Sequence, residues 1–253
     1  MKIKFGYVGF MSLVALLCQS SAYANLQPAQ VMLVDQGEAI SYVGEMEEPA
    51  IIQVENLIKN THGKVKRLVI DSGGGDVNLG MDLAGLVLEN SLDVVVENVC
   101  GSSCANYVFP AGKTKHINPN AVVVWHGSAI QEGLENPPGL ENLEFSAGKK
   151  PSIAVQRRLL EEAIEGHAKY IADIKLRQAS FYARLGVDER VTVIGQQLKA
   201  AQEWTLTPED MAYFGIGNVT APADYGHKLP PQMKERGVKL LQLKDYPDYA
   251  PPL

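Results

Sequence analysis

Short apolar runs alternate with stretches of helical periodicity through most of the chain. The runs at 31–34, 39–44, 67–70, 92–96, 115–117 and 121–125 predict strands, with 31–34 as an edge strand. Periodic spacing of apolar residues predicts helices at 47–59, 77–90, 103–112, 154–185 and 188–201, and a further helix that begins with Thr207-Pro208. Strands that alternate with helices indicate an α/β fold with a parallel sheet at its centre.

Glycine and serine follow two of the predicted strands. Residues 71–76 (DSGGGD) come after the strand at 67–70, and residues 100–104 (CGSSC) come after the strand at 92–96. Glycine allows backbone N–H groups to turn toward a ligand, and a serine at the start of a helix lies close to such donors. A third strand ends at His126. Together they supply the donor loop, hydroxyl and imidazole of a serine acyl-transfer site.

The first 24 residues have the pattern of an export signal. Lys2 and Lys4 precede an apolar stretch at 5–18, and Ala22-Tyr23-Ala24 matches an A-x-A cleavage site. We therefore expect cleavage after Ala24 and a periplasmic or secreted protein. The formal net charge of −6 argues against nucleic acid as the main partner, because phosphate binding requires a basic surface.

Export changes the interpretation of the cysteines. After cleavage the chain retains Cys100 and Cys104, which an oxidising compartment favours as a disulfide. Their spacing is within disulfide reach if Cys100 lies in the turn before the helix, but two buried thiols would fit the sequence equally well. Two cysteines without further ligands make an incomplete zinc site, so no metal is expected.

Two segments lack clear periodicity. Residues 127–152 are rich in Gly, Pro, Asn and Glu and are predicted to form a long mobile loop beside His126. The residues from Ala221 onward are rich in Pro, Lys and Tyr and are predicted to form an appended, partly extended arm. The expected organisation is a signal peptide at 1–24, an α/β domain at 25–220 and a C-terminal extension at 221–253.

Four motifs follow one another in order between residues 40 and 219. They are Ser72-Gly73-Gly74-Gly75 followed by Gly80-Met81, Ser103 followed by a short helix ending at Ala111-Gly112, Asn118-Pro119-Asn120 followed by the strand to His126, and Thr207-Pro208-Glu209 followed by Tyr213-Phe214-Gly215. Together they resemble the Clp-protease-type branch of the crotonase-like fold. This resemblance implies repeated ββα units around a parallel sheet, with a long helix in the C-terminal half.

The resemblance also implies roles for individual residues. Ser103 would be the nucleophile, His126 its general base, and the N–H groups of Gly75 and Cys104 the oxyanion hole. The family's third catalytic residue, an aspartate, falls here on Gln202, with Glu203 beside it. The site could therefore work as a dyad, use Glu203, or be inactive.

Two functions follow from this resemblance. One is an exported serine hydrolase, a peptidase that acts on peptides or unfolded chains without a cofactor. The other is a catalytically weak or inactive binding or scaffold protein of the periplasm. No ATPase partner is expected, because ATP is not expected outside the cytoplasm. The family also suggests a homo-oligomer of open subunit number.

Overall fold

Strands and helices alternate along the chain as the apolar pattern predicts. The computed structural model describes residues 28–134 and 152–246, so the expected signal peptide, residues 135–151 of the predicted loop and the last seven residues lie outside them. The strands are β1 Gln30–Val34, β2 Ala39–Val43, β3 Arg67–Ser72, β4 Asp93–Gly101, β5 Lys115–Ile117, β6 Val122–Val124, β7 Trp204–Leu206, β8 Val219–Thr220 and β9 Lys239–Leu241. The helices are α1 Glu48–Asn60, α2 Val77–Glu89, α3 Phe109–Ala111, α4 Ile153–Leu185, α5 Ile194–Gln197, α6 Pro208–Tyr213 and α7 Pro231–Glu235.

A mostly parallel sheet carries the candidate site. Its strand order is β1-β2-β3-β4-β5-β8, with β6 also paired to β4, and only β1 runs antiparallel to its neighbour. Parallel neighbours need a crossover, which α1 supplies between β2 and β3 and α2 supplies between β3 and β4. The predicted mixed α/β fold with a parallel core and a long helix is therefore confirmed.

Strand β4 is the longest strand and pairs with two others on one edge. Its first half pairs with β5 through Val94–Val96, and its second half pairs with β6 through Val99–Gly101. The register of β4 against β3 shifts between Ile70 and Ser72. At this shift the Asp71 carboxylate accepts hydrogen bonds from the N–H of Val99 (3.1 Å) and the amide of Asn98 (2.7 Å). The ends of β3, β4 and β6 are thereby brought to the same edge of the sheet.

The helices pack on the sheet through apolar faces with helical spacing. On α1 the buried residues are Ala50, Ile51, Val54 and Ile58, and on α2 they are Gly80, Met81, Leu83, Ala84 and Val87. Helix α2 begins at Asp76, whose carboxylate accepts from the N–H groups of Asn78 (2.8 Å) and Leu79 (3.0 Å). Residues 71–76, here called the glycine loop, are thus followed immediately by a capped and well-packed helix.

The prediction of one continuous helix at 188–201 is wrong. The chain instead forms a 3₁₀ turn at Glu189–Thr192 and the short helix α5, separated by Val193, whose φ of −133° is not helical. A Cβ atom at Gly195 would lie 2.3 Å from the Trp204 ring, so this backbone is placed by contact with the buried indole. Apolar periodicity carries no information about that contact.

The segment after residue 220 differs from the predicted appended arm. Strand β9 pairs in parallel with β7, and Tyr225, Leu241 and Leu243 belong to the main apolar core. The Tyr225 hydroxyl accepts from the N–H of Val123 (3.0 Å) and is hydrogen-bonded to the Thr205 hydroxyl (2.9 Å). Residues 221–246 are therefore an integral part of the sheet-containing unit.

Residue contacts divide the chain into two compact units. The sheet belongs to the unit formed by 27–131 and 174–253, and the described residues of the other unit are 132–134 and 152–173. In the second unit, the His167 ring forms a hydrogen bond with the carbonyl oxygen of Leu134 (2.7 Å). No helix in the described ranges is both long enough and apolar enough to cross a bilayer.

Candidate functional site

The glycine loop lies at the carboxyl end of β3 and has a backbone that other residues adopt poorly. Gly74 and Gly75 have φ values of +107° and +134°. The Ser72 hydroxyl accepts from the N–H of Gly74 (3.1 Å) and so helps to fix the turn. A Cβ atom at Gly74 would lie 2.5 Å from the Ser102 Cβ and 2.9 Å from the Ser103 nitrogen. Glycine here permits direct contact between the loop and the serine segment.

Ser103 begins the helical segment that follows β4. The preceding residue, Ser102, has a φ of +53°, and this left-handed turn reverses the chain between the strand and a π-helical turn at Cys104–Val108 that continues into α3. Ser103 is only 1% exposed. A Cβ atom at Gly80 would lie 2.8 Å from the Ser103 Cβ, so α2 also approaches the serine closely. Ser103 therefore lies between the glycine loop and α2, and each of them approaches it through a glycine.

A disulfide spans the serine. Cys100, at the end of β4, is bonded to Cys104, in the first helical turn, and both residues are fully buried. The structure thus chooses between the two alternatives that the sequence left open. The bond ties the residue that follows Ser103 to the sheet.

Two unpaired backbone donors belong to residues next to Ser103: Gly75, whose carbonyl oxygen the hydroxyl contacts, and Cys104, which follows it in the chain. Within the described ranges, the N–H groups of Gly75 and Cys104 have no hydrogen-bond acceptor. The N–H of Cys104 is free because the first turn of a helix has no intrahelical acceptors. Unpaired N–H groups beside a hydroxyl are the donors that an oxyanion needs.

The Ser103 hydroxyl donates to the carbonyl oxygen of Gly75 (3.2 Å) rather than to His126. No described side chain is hydrogen-bonded to the His126 ring, which interacts instead with the backbone of its own residue. The two segments are nevertheless adjacent, because the N–H of Ser102 donates to the carbonyl oxygen of Val124 (3.1 Å). Serine and histidine are brought to one edge of the sheet without being hydrogen-bonded to each other.

The backbone around His126 is anchored by residues that the sequence did not identify. The Gln196 amide donates to the carbonyl oxygen of His126 (3.0 Å), and the buried Asn106 amide donates to that of Gly127 (2.9 Å). Asn106 lies three residues after Ser103, so it links the helical segment that begins at Ser103 (the serine helix) to the backbone that follows His126. A polar residue inside the apolar run at 104–111 was the available signal for it.

Of the two candidate third residues, Glu203 interacts electrostatically with the histidine. Gln202 is exposed, and its side chain has no hydrogen bond to any described residue. The Glu203 side chain is 16% exposed and receives two hydrogen bonds from the Arg236 guanidinium, at 2.6 and 3.1 Å. Strand β7 begins directly after Glu203, and Trp204 exchanges backbone hydrogen bonds with Trp125, the residue before His126.

These surroundings favour a neutral imidazole. Desolvation by the surrounding protein lowers the pKa of His126, and Arg236 acts in the same direction, whereas Glu203 and a hydrogen bond to the residue's own backbone oppose both. An accessible, neutral imidazole is able to accept a proton. No group of three or more His, Cys, Asp or Glu side chains within 28–134 and 152–246 is arranged to hold a metal ion.

Neither a scan of protein-family models nor a search of curated proteins finds a match for this chain.

Proposed function

We propose that the protein is an exported serine hydrolase, a peptidase that acts through an acyl-enzyme on Ser103. The observation that carries this proposal is the position of the Ser103 hydroxyl, which contacts a glycine loop 28 residues earlier in the chain, beside two unpaired N–H groups. A buried serine that only capped a helix would accept from its own first turn, and Ser103 makes no such bond. The order of the motifs supports a Clp-protease-type site with repeated ββα units.

The proposed reaction begins with a movement of the Ser103 side chain, because its hydroxyl is hydrogen-bonded to Gly75. The Ser103 hydroxyl leaves the Gly75 carbonyl, and its proton passes to His126 as its oxygen bonds to the substrate carbonyl carbon. The N–H groups of Gly75 and Cys104 stabilise the resulting oxyanion. His126 then returns the proton to the departing amine, and water hydrolyses the ester in a second cycle.

Glu203 is the proposed third residue, in place of the family's aspartate. Its negative charge favours the imidazolium that forms when His126 accepts the proton. The ion pair with Arg236 partly neutralises the Glu203 charge and so reduces its effect on the ring. The proposed site therefore works as a dyad that Glu203 assists.

The remaining features define the expected setting. The signal-like residues 1–24 support export to the periplasm or beyond, and a compartment that maintains disulfides agrees with the Cys100–Cys104 bond. Substrates are then peptides or unfolded chains, and neither a cofactor nor an ATPase partner is expected. A homo-oligomer is proposed from the resemblance alone.

A second function is favoured by a specific observation. The Ser103 hydroxyl is hydrogen-bonded to Gly75 instead of His126, and the Glu203 carboxylate is paired with Arg236. Both interactions stabilise a resting arrangement in which the nucleophile is not activated. A binding or scaffold protein that uses the same cleft without turnover is consistent with this arrangement.

Hydrolysis by purified protein distinguishes the two functions. Fluorescent casein and an activated ester are offered to the wild type, Ser103→Ala, His126→Ala and the neighbouring control Ser102→Ala. The hydrolase predicts turnover of at least the ester by the wild type and by Ser102→Ala, and its loss in the other two. Equal rates in wild type and Ser103→Ala would refute the assignment of the nucleophile, and a folded wild type without turnover would favour the binding protein.

A further inference from the structure

A cleft of about 390 Å³ lies at the opposite end of the sheet from Ser103. It is formed where β5 and β8 begin, whereas Ser103 and His126 follow the carboxyl ends of β4 and β6. Its walls include the apolar side chains of Leu88, Pro110 and Val187. None of its lining residues belongs to the candidate active site.

The charged residues that line this cleft are all cationic. Lys113, Lys115 and Arg184 face it, and no aspartate or glutamate does. This is notable in a chain whose formal net charge is −6. The carboxylate of Asp93, on the neighbouring strand, accepts hydrogen bonds from the N–H (3.1 Å) and the hydroxyl (2.7 Å) of Thr114.

Lys115 is a buried cation without a counter-ion among the described residues. It is 6% exposed, and its ammonium donates one hydrogen bond, to the carbonyl oxygen of Gly217 (2.9 Å). An ammonium has three donors, and a buried charge is costly unless it is paired. Burial lowers the pKa of Lys115, and no carboxylate opposes this effect. Lys228 is the contrasting case, because its partner Asp224 raises its pKa.

We propose that this cleft binds a small polyvalent anion, a phosphate or a polycarboxylate, through Lys115, Lys113 and Arg184. The anion would accept the remaining hydrogen bonds of the Lys115 ammonium and supply the missing negative charge. The apolar walls reduce competition from water, which strengthens the interaction relative to that of an exposed lysine. The inference stands independently of the serine chemistry.

Calorimetric titration of the purified protein tests this site. Sodium phosphate and sodium citrate are titrated separately against the protein, with sodium chloride keeping the ionic strength constant. We expect saturable binding of at least one of them with a stoichiometry of one. Binding of phosphate alone indicates a phosphate ligand, binding of citrate alone indicates a polycarboxylate, and binding of both indicates a general polyanion site.

Variants locate the binding. Lys115→Met keeps the apolar stem and should lower the association constant at least tenfold, and the exposed changes Lys113→Ala and Arg184→Gln should each lower it several-fold. Lys234→Ala removes an exposed lysine on α7, outside the cleft, and should leave the constant unchanged. If Lys115→Met does not fold, the two exposed variants decide the result. No saturable binding of either anion, or equal effects of Lys113→Ala and Lys234→Ala, would overturn the proposal.

Discussion

At the residue scale, two neighbouring glycines of one loop have different requirements. Gly74 has a positive φ and no space for a Cβ atom, whereas a Cβ atom at Gly73 would meet nothing within 4 Å. We expect Gly74→Ala to lower the free energy of unfolding by roughly 2 kcal/mol or more, through backbone strain and steric overlap with Ser102. Gly73→Ala is the matched control and should stay close to the wild type. Urea denaturation measures both, and equal stability of the two variants would contradict this account of the loop.

The charges near His126 predict pKa changes of opposite sign. Glu203→Gln removes the influence that raises the pKa of His126, so the pKa should fall further below its ordinary value. Arg236→Gln removes an influence that lowers it and frees the Glu203 carboxylate, so the pKa should rise. NMR titration of the imidazole resonance, assigned with His126→Asn, measures both shifts.

Gln202→Ala is the matched control for that titration and should leave the pKa of His126 unchanged. A shift caused by Gln202→Ala but not by Glu203→Gln would assign the third position to the glutamine instead. The same effects should appear in the pH dependence of hydrolysis. Because protonated His126 cannot act as a base, the acidic limb of that profile should lie below pH 6.5 in the wild type. It should move to higher pH in Arg236→Gln.

At the element scale, the disulfide fixes the junction between β4 and the serine helix. Replacing Cys100 and Cys104 together by alanine removes a bond that closes a very short loop. Chain entropy alone predicts a loss of about 2 kcal/mol in the free energy of unfolding. Urea denaturation of the double variant, beside oxidised and reduced wild type, checks this. The double variant should resemble the reduced wild type, and a double variant as stable as the oxidised protein would contradict the prediction.

The elements that the sequence predicted well are those determined by local pattern. β2, β3 and the helix capped by Thr207 follow from apolar alternation and a cap-proline signal, and the Thr207 hydroxyl does accept from the N–H of Asp210 (3.1 Å). The interruption at Val193 depends on the distant Trp204 ring, which periodicity does not record. The contact between Ser103 and the glycine loop follows from the strand order of the sheet.

At the scale of the whole molecule, the C-terminal segment completes the sheet-containing unit. Its proline-rich composition suggested an extended arm, but its pairing with β7 and the anchoring of Tyr225 involve partners far away in sequence. Arg236, which pairs with Glu203, comes from this same segment. The segment therefore contributes to both the stability of the fold and the charge around His126.

The Tyr225 hydroxyl provides a test of this integration. Tyr225→Phe leaves the buried N–H of Val123 without its acceptor and should lower the free energy of unfolding by about 1–3 kcal/mol. Tyr246→Phe removes a hydroxyl from a partly exposed tyrosine near the chain end and should have little effect. Thermal and urea denaturation compare the two, and an unchanged stability of Tyr225→Phe would contradict the integration of this segment.

The central claim is that Ser103 is a nucleophile assembled by the glycine loop and assisted by His126. Its most direct test is labelling of the purified, oxidised protein with a fluorophosphonate, read by intact mass and peptide mapping. The account predicts one adduct on Ser103 in the wild type and in Ser102→Ala, none in Ser103→Ala, and much slower labelling in His126→Ala. A folded wild type that gains no adduct, or an adduct that Ser103→Ala retains, would contradict it.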